Sequence, residues 1–196
     1  ATCSSGTDAL LMSLMAYNVK KDDIIFTTTY SYISTAEVIK LLGAKPFFVD
    51  IDPDTYNIDA NKLKEAIKSF KNKKFTSNIP NSFKKLKKFN LRGVIGVNLF
   101  GNPFEYEKIR DITKKNDLFL IEDAAQSFGS KFKNKFSGTL GDISCFSFYP
   151  TKSFSCYGDG GAITTNNKKL YKLIKSIRVH GKSNSINGFE RLGLTG

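Results

Sequence analysis

Short apolar runs alternate with stretches of helical period along almost the whole chain, and this alternation narrows the fold more than any other feature. Residues 24–28, 46–49, 93–99, 118–121, 142–148 and 162–165 read as strands. Between them, residues 6–17, 35–42, 60–70, 106–115 and 168–178 carry apolar side chains at helical spacing. Examples are Leu10, Leu11, Leu14 and Met15 in the first, and Leu63, Ala66, Ile67 and Phe70 in the third. Gly43 is a natural helix stop, and "DPDTYNID" at residues 52–59 is rich in turn formers. A strand joined to the next through a helix pairs with it in parallel, and the helices cover both sheet faces. The expected fold is therefore a three-layer α/β/α domain around a mostly parallel sheet. Such sheets bind ligands beyond the carboxyl ends of their strands, so chemistry is sought there and in turns that open helices.

The 196 residues suffice for one domain with a substantial core. No apolar run approaches the roughly 20 residues that span a bilayer, so no membrane partner is expected. The chain starts at Ala1 without a methionine, inside an apparent motif, and is expected to be part of a longer protein. A net charge of +12 raises the possibility of an anionic partner. Much of that excess is local: Lys71, Lys73, Lys74, Lys84, Lys85, Lys87 and Lys88 lie in a stretch without a single acid. Residues 71–90 are accordingly read as a solvated lysine-rich insertion, and nucleic acid is not expected as a partner. Three cysteines form neither a disulfide framework nor a CxxC pair, which fits a reducing cytoplasm. No cluster of His, Cys and carboxylates has metal-ligand spacing. His180, the single histidine, reads as structural.

Four local signals carry chemistry. Ser4-Ser5-Gly6-Thr7-Asp8 opens the first helix, where free amides and the positive dipole end suit a phosphate, although an ordinary N-cap explains the same residues. Tyr30-Ser31-Tyr32 precedes the second helix, where a ring either stacks on a flat heterocycle or fills the core. Glu122-Asp123-Ala124-Ala125-Gln126 follows a strand. There an acid either caps a turn or pairs with a pyridine nitrogen, while Gln126 reaches a phenolic oxygen. Finally, "FSFYPTK" delivers Ser147 and then Lys152, a surface lysine by default and a carbonyl-binding amine in a desolvated site. Each signal is weak alone; their order is what gives them weight.

The segments "SSGTDAL", "TYSYISTAEVIKLLGAKPFFVDIDPDTYNID", "LIEDAAQSFGSKFKNKFSGTLGDISCFSFYPTKSFSCYGDGGAITTN" and "RVHG" resemble the nucleotide-sugar aminotransferases of the DegT/DnrJ/EryC1/StrS family. The resemblance covers nearly the whole chain apart from the lysine-rich stretch. It implies the large domain of a pyridoxal 5'-phosphate (PLP) enzyme of fold type I, working as a homodimer. By the same resemblance Lys152 is the lysine that holds the cofactor covalently and moves the proton. Asp123 is then the partner of the ring nitrogen, and Gln126 a contact to the ring hydroxyl. Gly6, Thr7 and Ser147 are phosphate ligands, and Tyr32 stacks on the ring. The implied substrates are glutamate as amino donor and a UDP- or dTDP-linked keto sugar as acceptor, aminated at C3, with the UDP-2-acetamido-3-keto-glucuronate type the first choice. Such products enter surface polysaccharides and glycans. The family's N-terminal lead and C-terminal small domain are not represented in these 196 residues.

Three rival readings fare worse. A PLP-dependent sugar dehydratase carries histidine where this chain has Lys152. A cysteine desulfurase needs a cysteine on a mobile loop, whereas Cys3, Cys145 and Cys156 sit in motifs that read as structural. A basic nucleic-acid-binding module leaves Asp123, Gln126, Ser147 and Lys152 unexplained.

Overall fold

The computed structural model describes residues 1–77, 79–183 and 188–195. Asn78, inside the lysine-rich stretch, lies outside the described residues. The chain runs β1 (Thr2–Cys3), α1 (Gly6–Ala16), β2 (Asp23–Thr28), α2 (Ser34–Leu41), β3 (Lys45–Val49), α3 (Ala60–Asn72), the single turn α4 (Asn81–Lys84) and β4 (Asn90–Val97). It continues through a 3-10 turn at Leu99–Gly101, α5 (Tyr106–Lys115), β5 (Phe119–Asp123), the small hairpin β6 (Lys131–Phe132) and β7 (Lys135–Phe136), β8 (Ile143–Ser147), β9 (Gly161–Thr164) and α6 (Lys168–Ile177).

Seven strands form one sheet in the order β1-β9-β8-β5-β4-β2-β3. The pairs β3-β2, β2-β4, β4-β5 and β5-β8 are parallel, and β9 alone runs antiparallel to both of its neighbours. The expected mostly parallel sheet is therefore present. All of its parallel strands deliver their carboxyl ends to one edge, and the β8–β9 connection returns across that same edge.

Central strands are apolar on both faces because helices cover both: every residue of β2 and of β5 is buried. One core, built on Leu10, Leu14, Ile39, Ile95, Ile121 and Ile143, lies under α1, α2 and α6. The other, with Phe26, Phe47, Leu63, Ile67, Phe70 and Phe104, lies under α3 and α5. Burying each such side chain contributes about 1.5–3 kcal/mol. Gly43 ends the α2 turn at φ +75°, a backbone that favours glycine, as its place in the sequence requires.

Strand limits shift by one to three residues, and one shift matters. The run expected to end at Ile121 extends through Asp123, which makes that acid the last residue of β5. The lysine-rich stretch also differs from a plainly solvated insertion. Phe75, Phe83 and Phe89 pack edge-on against Phe70 at ring separations of 5.5, 5.8 and 5.4 Å, and Ile79 is buried. Its lysines face outward from a segment that these side chains pin to α3. Among the described residues no helix is long and apolar enough to cross a membrane.

Candidate active site

Seven residues singled out in the sequence, Gly6, Thr7, Tyr32, Asp123, Gln126, Ser147 and Lys152, line one cavity of about 420 Å³ at the carboxyl edge of the sheet. They come from four places, the start of α1, the approach to α2, the end of β5 with the loop after it and the end of β8 with its following loop, and the fold brings these together.

One end of the cavity is built by α1. Ser5 caps the helix in extended backbone, its hydroxyl accepting the Asp8 N–H at 3.0 Å. Gly6 and Thr7 follow as the first helical residues, whose amides no preceding turn can satisfy. Gly6 lies directly against the end of β8. A Cβ built on it would stand 2.6 Å from Ser147 Cβ and 3.2 Å from the Ser147 backbone, so only glycine permits this approach. Dipole, amides and the Ser147 hydroxyl thus converge on a concave cup for an anion.

Asp123 closes the floor. It is buried, and its carboxylate accepts from Thr35 Oγ1 (3.1 Å) and from the Ala125 N–H (3.1 Å). Burial pushes its pKa above the ordinary carboxylate value; the two hydrogen bonds and the nearby Lys152 charge only partly oppose that. Among the described residues Asp123 forms no ion pair. A buried anion held by two neutral donors is costly unless a cation joins it.

Gln126 stands on the loop after β5. Its Oε1 accepts the Phe100 N–H at 2.7 Å, which leaves the Nε2 hydrogens for the cavity. Lys152 is half-buried on the loop between β8 and β9. The neck of that loop is closed by Phe148 N–H to Gly160 O (2.7 Å) and Cys156 N–H to Phe148 O (2.8 Å), and Lys152 N–H bonds Tyr149 O at 2.8 Å. Tyr32 is 69 % exposed, so it is a wall of the cavity and not a core ring. His180 lies outside the cavity, its Nε2 3.3 Å from Thr195 Oγ1.

Sequence reasoning missed several residues. Thr35 orients Asp123, and Ser31 Oγ lies 2.9 Å from Thr35 Oγ1; the role of this hydroxyl rests on its place in the fold, which no local sequence signal carries. Asp159 also lines the cavity. Glu122, fully buried, takes five hydrogen bonds: Asn98 Nδ2 (2.7 Å), Ser137 Oγ (2.9 Å) and Gly138 N–H (2.9 Å) on Oε1, then Leu140 N–H (2.9 Å) and Ser144 Oγ (2.6 Å) on Oε2. It ties the loops after β4 and β7, and the neighbouring strand β8, to β5.

The model of the DegT/DnrJ/EryC1/StrS aminotransferase family matches residues 1–193. The UDP-2-acetamido-2-deoxy-3-oxo-D-glucuronate aminotransferase of Pseudomonas aeruginosa is 41 % identical over 181 residues, 92 % of this chain and 45 % of that protein. Among solved structures, a DegT DnrJ EryC1 StrS aminotransferase from Brucella abortus matches with a TM-score of 0.90 at 37 % identity, covering 98 % of this chain and 48 % of that one. NtdA from Bacillus subtilis, solved with bound cofactor PMP, matches with a TM-score of 0.80 at 30 % identity, over 98 % of this chain and 39 % of that one. The chain spans somewhat less than half the length of these relatives.

Proposed function

The chain belongs to the DegT/DnrJ/EryC1/StrS aminotransferase family, and on that premise we propose that it holds pyridoxal 5'-phosphate and moves an amino group from glutamate to a keto carbon of a UDP- or dTDP-linked sugar, with C3 the first choice. The observation that carries this reading is the cavity itself, where a half-buried lysine, a buried acid without a cation and a glycine–serine cup face one another.

The residues present fit the cofactor. The cup of Gly6, Thr7 and Ser147 would hold its phosphate, and Tyr32 would cover its ring. Asp123 lacks the positive partner that a protonated ring nitrogen would provide, and the free amide hydrogens of Gln126 suit a phenolate oxygen. When bound, pyridoxal phosphate supplies an electron sink for the carbon that gains or loses the amine. The chain's own residues do the rest. The Asp123 carboxylate would face the ring nitrogen and favour its protonated form. Lys152 Nζ would hold the cofactor and, as the amine lining both cavities, would be the group that takes and returns a proton there. The homodimer and the cytoplasmic setting belong to the same proposal, supported by the family alone.

The test is transfer of 15N from labelled glutamate to a UDP-3-keto sugar by the intact protein with added PLP, followed by mass spectrometry of the sugar nucleotide. No label in any UDP-, GDP- or dTDP-linked keto sugar would overturn the reading.

Two substitutions probe the cofactor site. Gly6→Ala forces the start of α1 away from Ser147, and the expected result is at least about tenfold weaker PLP binding, since one charge-assisted hydrogen bond contributes roughly 1.5–3 kcal/mol. Titration of the visible cofactor band measures it. Asp123→Asn should still load PLP but transfer about a hundredfold more slowly, the scale of losing one preorganised electrostatic partner. As pH falls through the raised pKa of Asp123, protonation cancels the charge that faces the ring nitrogen, and wild-type affinity for PLP weakens. Asp123→Asn removes that component, and the difference between the two titrations eliminates the cofactor's own ionisation. Parallel curves for the two proteins would refute the assignment.

A further inference from the structure

A second cavity, of about 330 Å³, adjoins the first and is lined by Phe100, Gln126, Thr151, Lys152 and Ser153. Gln126, Thr151 and Lys152 face both cavities, so the lysine stands on the wall between them. The volume lies at the lower end of the roughly 300–1,000 Å³ of small-molecule sites.

The feature that needs an explanation is Phe100. Its backbone sits at φ +54°, ψ +23°, a left-handed conformation that is an outlier for a bulky side chain, and the residue is 70 % exposed. The turn that carries it is fastened by three hydrogen bonds from two side chains. Phe100 N–H is held by Gln126 Oε1 at 2.7 Å, Leu99 N–H by Asn57 Oδ1 at 3.1 Å, and Asn102 O by Asn57 Nδ2 at 2.9 Å. Tyr30 buttresses the ring edge-on at 6.1 Å, and Tyr56, itself at φ +59°, leans on Tyr30 at 5.7 Å. Strain of this kind persists only where the surroundings over-determine it, and it concentrates where a ligand is clamped. Leu99 of the same turn is buried, whereas the Phe100 side chain faces open space beside Lys152 and contributes nothing to the core.

We propose that Phe100 is the platform on which the pyranose ring of the acceptor sugar stacks, and that the second cavity is the acceptor-sugar subsite. This deepens the functional reading above and rests on it. Amine transfer brings the keto carbon to within about 3–3.5 Å of the transferred nitrogen. The part of the substrate that fills a cavity sharing Lys152 is therefore the reacting ring, and the nucleotide lies farther out. The C–H face of a pyranose is weakly positive and meets the electron-rich face of a phenyl ring. Thr151 and Ser153 line the same cavity with hydroxyls suited to the polar edge of the sugar.

The test uses the PLP-loaded intact protein and two probes that do not turn over, UDP-N-acetylglucosamine and UDP, with affinities read by calorimetry. Phe100→Leu keeps apolar bulk and removes the aromatic face; Phe100→Tyr keeps the face. The expected result for Phe100→Leu is roughly tenfold weaker binding of UDP-N-acetylglucosamine with UDP unchanged, and for Phe100→Tyr binding within about twofold of wild type. Equal losses for both probes would place Phe100 against the nucleotide and overturn the platform. Unchanged affinities throughout would also overturn it, and would mean that protein covers the ring. Failure of the functional reading looks different: the 15N transfer assay then fails for the wild type itself, whatever stands at position 100.

Discussion

Lys152→Ala is expected to lower amino transfer by about ten-thousandfold, the upper end of the range for losing a positioned acid–base group, with covalent attachment of the cofactor lost as well. The geometry behind this number is specific. Thirty lysines and arginines make any one cation ordinary in this chain, but Lys152 is half-buried and lines both cavities, on a loop whose neck is closed by backbone hydrogen bonds at Phe148, Cys156 and Gly160. The measurement is borohydride reduction of the PLP-loaded protein followed by peptide mapping. Wild type should carry the pyridoxyl label on the peptide that contains Lys152 and lose its visible band; Lys152→Ala should carry none. The phosphate cup draws on Gly6, Thr7 and Ser147 and not on Lys152, so the variant should still bind PLP reversibly. A label on another lysine, with transfer intact in the variant, would remove Lys152 from the chemistry.

The sequence foreshadowed the site unevenly, for physical reasons. Cavity-lining residues with a chemical character of their own were visible: a glycine before a helix, an acid at a strand end, a lysine after a proline that follows a strand. Each has a local signature that survives without knowledge of the fold. Thr35 and Phe100 were not visible, because what qualifies them is position. Thr35 matters only because α2 sets its hydroxyl 3.1 Å from a carboxylate 88 residues away. Phe100 matters only because its backbone is left-handed and its ring is left uncovered. The same holds for the fold. Parallel pairing followed from the alternation of strands and helices, whereas the antiparallel β9 follows from a direct β8–β9 connection that crosses the site instead of the back of the sheet. The packed side of the lysine-rich stretch went unread because its charges dominate the composition, although Phe75, Ile79 and Phe83 recur every four residues around Pro80.

Glu122 and Asp123 put the division between stability and function to a direct test, because neighbouring residues of one strand face opposite ways. Glu122→Gln is expected to destabilise the protein by about 3 kcal/mol, the cost of leaving buried donors unsatisfied. An amide can present only one oxygen to the five donors around this side chain. Ser137 and Ser144 can turn to accept, but Gly138 N–H, Leu140 N–H and Asn98 Nδ2 cannot. Whichever way the amide is placed, an N–H group faces another N–H group in a site without water access. Asp123→Asn has the opposite sign. The folded-state pKa of Asp123 lies above its unfolded value, so the native state binds its proton more tightly. Stability from this group is present at low pH and is lost as pH rises through that interval. Above the unfolded carboxylate's pKa the burial of Asp123 costs the cofactor-free protein stability, and the neutral amide removes that cost. Urea unfolding of the cofactor-free proteins at pH 7 distinguishes the two. Glu122→Gln should lower the midpoint sharply with an unchanged slope, while Asp123→Asn should match or exceed the wild-type midpoint although it transfers amine about a hundredfold more slowly. Should Glu122→Gln unfold within about 0.5 kcal/mol of wild type, the scale of an ordinary surface change, then the carboxylate does not fasten the two loops to the sheet. The fixed placement of Asn98, of the turn that carries Phe100, and of Gln126 would then require another cause.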